Sequence, residues 1–394
     1  MKNILFLGLI SFFADISSEM VYPIIPLYLT AAFGAPPVLV GIIEGIAEST
    51  ASLLKVFSGY VTDKYKKKKP IAFVGYATGL IYKLALLLAG SWVGILPARV
   101  IDRLGKGIRT APRDVMVSES ADRQQMGKAF GIHKALDMAG SAIGILLSFF
   151  LLRAMTGGVG DYKTIFAVSA IPSVAALCMF AFVREKKELR EVKQRERFWT
   201  SWHRLDGRLK LYLLIVFLFT LGNSSNTFLL LRAKSAGFDD TTVILLYFVY
   251  NVTASILAIP FGKISDRIGR RQVLTAGYLM FAVVYLGFGT ANKSWMFVAL
   301  FVLYGIYTAM SAGVERALIA DIAPADLKGT MLGLHSTVAG IALLPASVIC
   351  GFLWDNFGTT VPFVFGASMS LLAALLLTFF FDRSGAHADR EPVK

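Results

Sequence analysis

The sequence predicts an all-α membrane protein: twelve transmembrane helices in two pseudo-symmetric six-helix bundles. Three observations predict it. Of 394 residues, 56% are hydrophobic, 30 are Phe and only 17% are charged, with a mean hydropathy of +0.63. A soluble chain of that size has too little interior to hide so much apolar surface. Apolar runs fall six on each side of one charged stretch, and the two sets match each other at a near-constant offset. A hydrocarbon core about 30 Å thick needs about 20 helical residues per crossing, so twelve crossings consume this length and leave no room for a large soluble domain.

The runs lie at about 4–31, 38–61, 71–90, 92–117, 127–152 and 163–183. After the stretch from Arg184 to Arg208, six more lie at about 209–231, 241–264, 272–291, 295–320, 329–353 and 361–381. The expected organisation is an N-terminal bundle over 1–183, a basic linker over 184–208, a C-terminal bundle over 209–382 and a tail over 383–394. Met1-Lys2-Asn3 before the first run imitates a secretion signal. Asp15 and Glu19 interrupt that run and no small-residue cleavage site follows, so it is expected to be the first span. Cys178 and Cys350 sit inside apolar runs without spacing for zinc, haem or a disulfide, and no cofactor or metal is expected.

A net charge of +14 could suggest nucleic acid, but the basic residues stand at the ends of apolar runs, which is the pattern that orients helices in a bilayer. Lys64, Lys66 to Lys69, Arg123, Lys128, the linker, Lys263, Arg267, Arg270 and Arg271 share one alternating side. That side, with both termini, is expected to be cytoplasmic, in a multi-pass protein of the cell membrane. Trp92, Trp295 and Trp354 stand near run ends as interface anchors. In the linker, Phe198, Trp199 and Trp202 punctuate Arg195, Arg197, Arg204 and Arg208, which suits either an amphipathic helix on anionic lipid or a solvated tether.

The halves are repeats. Gly59 and Gly262, Asp63 and Asp266, and Arg113 and Arg316 are each 203 apart, while Gly127-Lys-Ala-Phe-Gly131-Ile-His133 matches Gly329-Thr-Met-Leu-Gly333-Leu-His335 at 202. Parallel six-helix repeats describe a transporter fold with its substrate near the midplane between the halves. Gly59-Tyr-Val-Thr62-Asp63-Lys64, repeated as Gly262-Lys-Ile-Ser265-Asp266-Arg267-Ile-Gly269-Arg270-Arg271, resembles the loop motif of the major facilitator superfamily, and the similarity covers essentially the whole chain. The first copy departs from it with Lys66 where glycine is usual. Physically, the glycine permits close helix contact, the aspartate can face a helix N-terminus, and the basic cluster holds headgroups. Gly59, Asp63, Lys64, Gly262, Asp266 and Arg267 are therefore expected to gate the transporter. Gly131, Gly140 and Gly144 resemble the fifth-helix motif of the drug:proton antiporter branch, with Ile145 in place of its proline; the same spacing also serves plain helix packing.

Ionisable groups in a bilayer core cost at least about 2.5 to 3.5 kcal/mol each, so their default role is functional. Asp15 and Glu19 share a face of the first run, and Glu44, Glu48 and Lys55 a stripe of the second. The fourth carries Arg99, Asp102, Arg103, Lys106, Arg109 and Arg113, and the fifth His133, Lys134 and Asp137. Their counterparts in the second half are mostly neutral: Asn226 for Glu19, Asn251 for Glu48, Ala258 for Lys55, Ile306 for Arg103 and Ala309 for Lys106. The N-terminal half is thus expected to carry the proton chemistry, through one coupled site. The alternative is an inert lattice of ion pairs that packs the helices.

Gly105-Lys106-Gly107 lacks the spacing of a phosphate loop, His133 and His335 mark the repeat rather than a metal pair, and no catalytic pattern appears. The expected function is proton-coupled efflux of a small organic or amphiphilic solute by a monomer whose partners are substrate, protons and membrane lipid, with no nucleic acid. Uptake of an anionic metabolite is the alternative, and a membrane-embedded enzyme fits poorly.

Overall fold

The computed structural model describes residues 2–65, 68–121, 126–155, 158–185, 207–323 and 328–379, and the side chains of all of these but 55–65, 126–128, 320 and 328–330. Lys55, Asp63, Lys64, Lys66, Lys67, Arg123 and Lys128, the aromatic residues of the linker and the tail lie outside the described side chains, as does any contact of Gly59.

Within the N-terminal half the helices are α1 (Lys2–Val21), α2 (Ile24–Phe33), α3 (Pro37–Tyr65), α4 (Lys68–Leu88), α5 (Trp92–Glu119), α6 (Met126–Ala154) and α7 (Val159–Met179). The second half holds α8 (Gly207–Gly222), α9 (Thr227–Ser235), α10 (Asp240–Ile268), α11 (Arg270–Thr290), α12 (Ser294–Ile322), α13 (Lys328–Phe357) and α14 (Val361–Phe379). These fourteen helices make twelve crossings, because α1 with α2 and α8 with α9 each form one. The first and seventh runs were expected to be continuous, and both are broken at corresponding places. Pro23 lacks an N–H and its ring crowds the carbonyl four residues back, which ends α1. No proline stands at the second break. There Gly222, Asn223, Ser224, Ser225 and Asn226 supply side chains that compete for backbone groups, and Ser225 Oγ accepts from the Thr227 N–H at 3.3 Å.

The tight approaches are glycine-mediated. Gly140 and Gly144 of α6 lie against the Phe12 and Ile16 carbonyls of α1, leaving no room for a methyl group, whereas Gly131 faces open space. Gly105 seats α5 on Thr78 and Gly75 of α4, and Gly107 seats it on Ala51 and Leu54 of α3, so the pair flanking Lys106 packs helices. Gly269, at φ 105°, makes the turn from α10 to α11 that a side chain rarely adopts. Its counterpart in the first motif copy, Lys66, lies outside the described residues.

The halves meet along α3 against α13 and α6 against α10. Gly41 and Gly45 approach Ser347 and Leu344, Gly351 approaches Val38, and Ser49 Oγ donates to the Gly340 carbonyl at 2.6 Å. At the end remote from the termini, the Val38 N–H donates to Asp355 Oδ2 at 3.0 Å and the Tyr162 hydroxyl donates to Asp240, which ties the halves together. Between α6 and α10 lies a partly open pocket of about 190 Å³ beside Lys134, Met138, Ser141, Asn251 and Ser255. The described contacts thus tie the halves together at the end remote from the termini.

Candidate substrate and proton pathway

Among the described residues, eleven crossings are long and apolar enough to span a membrane; α5 is the twelfth and is not apolar. Its charges recur at helical spacing and face α1, α3 and α4, so the site is a ladder along α5.

The top rung is dry. Arg99 grips Glu44 of α3 with both arms, Nε to Oε1 at 2.9 Å and Nη2 to Oε2 at 2.5 Å, with both residues only 1% exposed. A planar fork matches a carboxylate, and desolvated charges persist only in such geometry. One turn on, Arg103 Nη2 lies 2.8 Å from Glu48. Asp102 sits 3.9 Å from both guanidinium groups. Both guanidinium carbons lie 5.5 Å from the centre of the Tyr22 ring, which faces them from the α1–α2 break. Lys83 of α4, fully buried, adds a cation acting on Asp102.

The middle rung is wetter. Lys106 is exposed and, among the described residues, has no ion pair within 4 Å. Glu19 of α1 feels Lys106 and Arg103 and accepts a hydrogen bond from the Tyr247 hydroxyl of α10 at 3.3 Å, so an N-terminal carboxylate touches the C-terminal half. Asp15, one turn below, feels Asp137, Arg109, Lys106 and Glu19. The lowest rung is a relay: Tyr76 hydroxyl to Ser11 Oγ at 3.0 Å, Ser11 to His133 Nε2 at 3.0 Å, and His133 Nδ1 at 3.9 Å from Asp137. Arg109 stacks on Tyr76 at 4.3 Å.

The structure therefore brings together most of the expected residues, but as linked clusters rather than one ion-paired site. Asp15 and Glu19 make no ion pair within 4 Å among the described residues. Arg113 pairs with its own neighbour Asp114 at 2.9 Å and also acts on Tyr76, His133 and Asp137 of the lowest rung.

Facing this ladder, the C-terminal half presents hydroxylated rings. Tyr304 donates to Asn226 Oδ1 at 2.8 Å, Asn226 donates to Tyr250 at 3.4 Å, and Asn223 to Tyr307 at 3.1 Å. Tyr22 and Tyr247 meet across the interface with centroids 5.7 Å apart. Sequence reasoning missed this wall, and its signal was there: Tyr247-Phe-Val-Tyr250 and Tyr304-Gly-Ile-Tyr307 each put two rings on one helix face.

Of the gating residues, Asp266 is 3.3 Å from Arg270, which also reaches Asp321 at 2.7 Å. This cluster joins α10, α11 and α12 within one half. Arg267 is exposed. Among the described residues, nothing lies within 4 Å of a Cβ position on Gly262.

The sequence pattern of the Major Facilitator Superfamily matches residues 7–232 and again 211–394. A protein of Methanocaldococcus jannaschii named as an uncharacterised MFS-type transporter is 37% identical over 384 residues, 96% of this chain and 94% of that one. Multidrug resistance protein MdtH of Escherichia coli is 23% identical over 345 residues, 85% of this chain and 82% of its own. Among solved structures, the nucleoside transporter NupG superposes with a TM-score of 0.81 at 11% identity, covering 95% of this chain and 98% of that one. Twelve crossings, two repeated bundles and these matches lead to one assignment: the chain belongs to the major facilitator superfamily, as a multi-pass secondary transporter that works by alternating access.

Proposed function

We propose that the chain is a proton-coupled exporter of small organic or amphiphilic solutes in the cell membrane, a monomer with both termini and the 184–208 linker cytoplasmic and with bundles over 1–183 and 209–382. The observation that carries this reading is Glu19: a carboxylate without an ion pair among the described residues, between Lys106 and Arg103, hydrogen-bonded to Tyr247 of the opposite half. When the halves part or close, that contact must change, and a group whose partners differ between two states binds its proton differently in each. Asp15 extends the route toward the end that carries the termini, and His133 and Asp137 complete it. Efflux is supported by the relative named as a multidrug resistance protein. Asp63 and Asp266 with their basic neighbours act as a latch for the cytoplasmic ends when these close.

Reconstitution into sealed vesicles with fluorescent amphiphilic dyes and an imposed pH gradient tests the reading. Gradient-driven dye movement is expected in the wild type and lost in Glu19→Gln. If Glu19→Gln, Glu48→Gln and Arg103→Ala all keep normal flux with unchanged pH dependence, the coupled pathway is wrong. Exposed Lys106 favours a second reading, uptake of an anionic solute, which the same vesicles distinguish by the direction of accumulation.

A further inference from the structure

The two repeat-related histidines have unequal surroundings. In the N-terminal half, Tyr76 and His133 are bridged by Ser11. Their counterparts 202 residues on, Tyr278 and His335, are bridged by a carboxylate: His335 Nε2 lies 3.5 Å from Glu315 Oε2, and the Tyr278 hydroxyl donates to Glu315 Oε1 at 3.3 Å. Tyr212 of α8 stacks on the imidazole at 6.3 Å, 17° from parallel, and its hydroxyl reaches the Glu315 carbonyl at 3.4 Å. Glu315 comes from α12, His335 from α13 and Tyr278 from α11, so four helices converge on one ionisable pair.

We propose that Glu315 and His335 form a second proton-binding site, in the C-terminal half, equivalent by the repeat to the Ser11–Tyr76–His133 relay. A carboxylate and an imidazole within 4 Å of each other can share one proton, and the Tyr278 hydroxyl fixes the carboxylate that would share it. The side chains keep 14% and 18% exposure while Nε2 itself is buried, so the partly exposed carboxylate is the entry for the proton. His335 Nε2 has no hydrogen bond among the described residues and lies 3.5 Å from Glu315 Oε2, where it can share that proton. Among the described residues, the groups facing the pair are Tyr278 from α11, Tyr212 from α8 and Tyr307 from α12, with Arg208 one turn from Tyr212 and Arg316 beside Glu315 in sequence. The pair lies in the part of α12 and α13 nearer the end that carries the termini.

This site deepens the proton-coupled reading, and its test needs no solute, so the two can fail separately. The chain has four histidines, His133, His203, His335 and His387, few enough to resolve one by one. Full-length protein with isotope-labelled histidine, in lipid nanodiscs, is titrated by NMR, with His335→Gln assigning the resonance. Glu315→Gln is expected to lower the proton affinity of His335 tenfold or more and leave that of His133 unchanged. An unaltered His335 titration in a folded Glu315→Gln protein overturns the proposal. Infrared difference spectra of the unsubstituted protein guard against a variant that does not fold: a carboxyl signal absent from His335→Gln must titrate together with the ring, and its absence from the wild type overturns the site as well.

Discussion

Replacing Glu44 with leucine strands the Arg99 guanidinium in the interior. The lost partner supplied two hydrogen bonds, at 2.9 and 2.5 Å, between groups only 1% exposed. At an effective dielectric of about 20, unit charges about 4 Å apart attract by about 4 kcal/mol. Asp102 at 3.9 Å and the Tyr22 ring at 5.5 Å stay behind and compensate part of this. Glu44→Leu is therefore expected to cost about 3 kcal/mol, the low end for breaking a buried pair. Arg99→Met should cost a similar amount, because it leaves the carboxylate alone. The double variant removes both desolvated charges and fills the space with apolar groups, so it is expected within about 1 kcal/mol of wild type, where additive single losses demand about 6. Unfolding of full-length protein in mixed micelles titrated with SDS, followed by tryptophan fluorescence, reads all three. A double variant as unstable as the summed singles, or a Glu44→Leu protein as stable as wild type, refutes the reasoning.

Tyr247→Phe removes the hydroxyl that donates to Glu19; a hydrogen bond to a charged group is worth about 1.5 to 3 kcal/mol, so the pH profile of flux is expected to move while folding, checked by size-exclusion elution, stays intact. Gly41→Ala pushes α3 off the Ser347 carbonyl of α13 and is expected to cost about 1 to 3 kcal/mol and loosen the end remote from the termini, seen as faster labelling of a cysteine at Val38. Unchanged labelling would show that this contact does not tie that end. For orientation, impermeant reagents added outside are expected to reach cysteines at Gly158 and Lys293 and not at Lys67 or Arg270; the reverse pattern inverts the topology.

Crossing number and repeat were legible because hydropathy and internal offset survive in one dimension. Partnerships were not. Glu44 and Arg99 are 55 positions apart, and helical spacing gives the face each occupies without saying which neighbour covers it. Lys83 was missed inside an apolar run, where its burial against Asp102 depends wholly on how α4 meets α5. Glu315 was missed because comparison by offset looked for counterparts of N-terminal charges, and its counterpart is Pro112. The break at Pro23 follows from a local rule, whereas that at Asn223–Asn226 needs four polar residues to prevail together over helix continuation.

The polarity of α5 bears on how the chain is made. Arg99, Asp102, Arg103, Lys106, Arg109, Arg113 and Asp114 stand on a single crossing, and at about 2.5 kcal/mol or more apiece no such segment partitions into lipid alone. Its opposite charges, Glu44 and Glu48, belong to α3, which leaves the ribosome earlier. Insertion is therefore expected to keep α3 beside the translocation channel until α5 emerges, so that Arg99 and Arg103 enter the bilayer already paired with Glu44 and Glu48. Stalling synthesis between α4 and α5 would leave both carboxylates of α3 without these arginine partners.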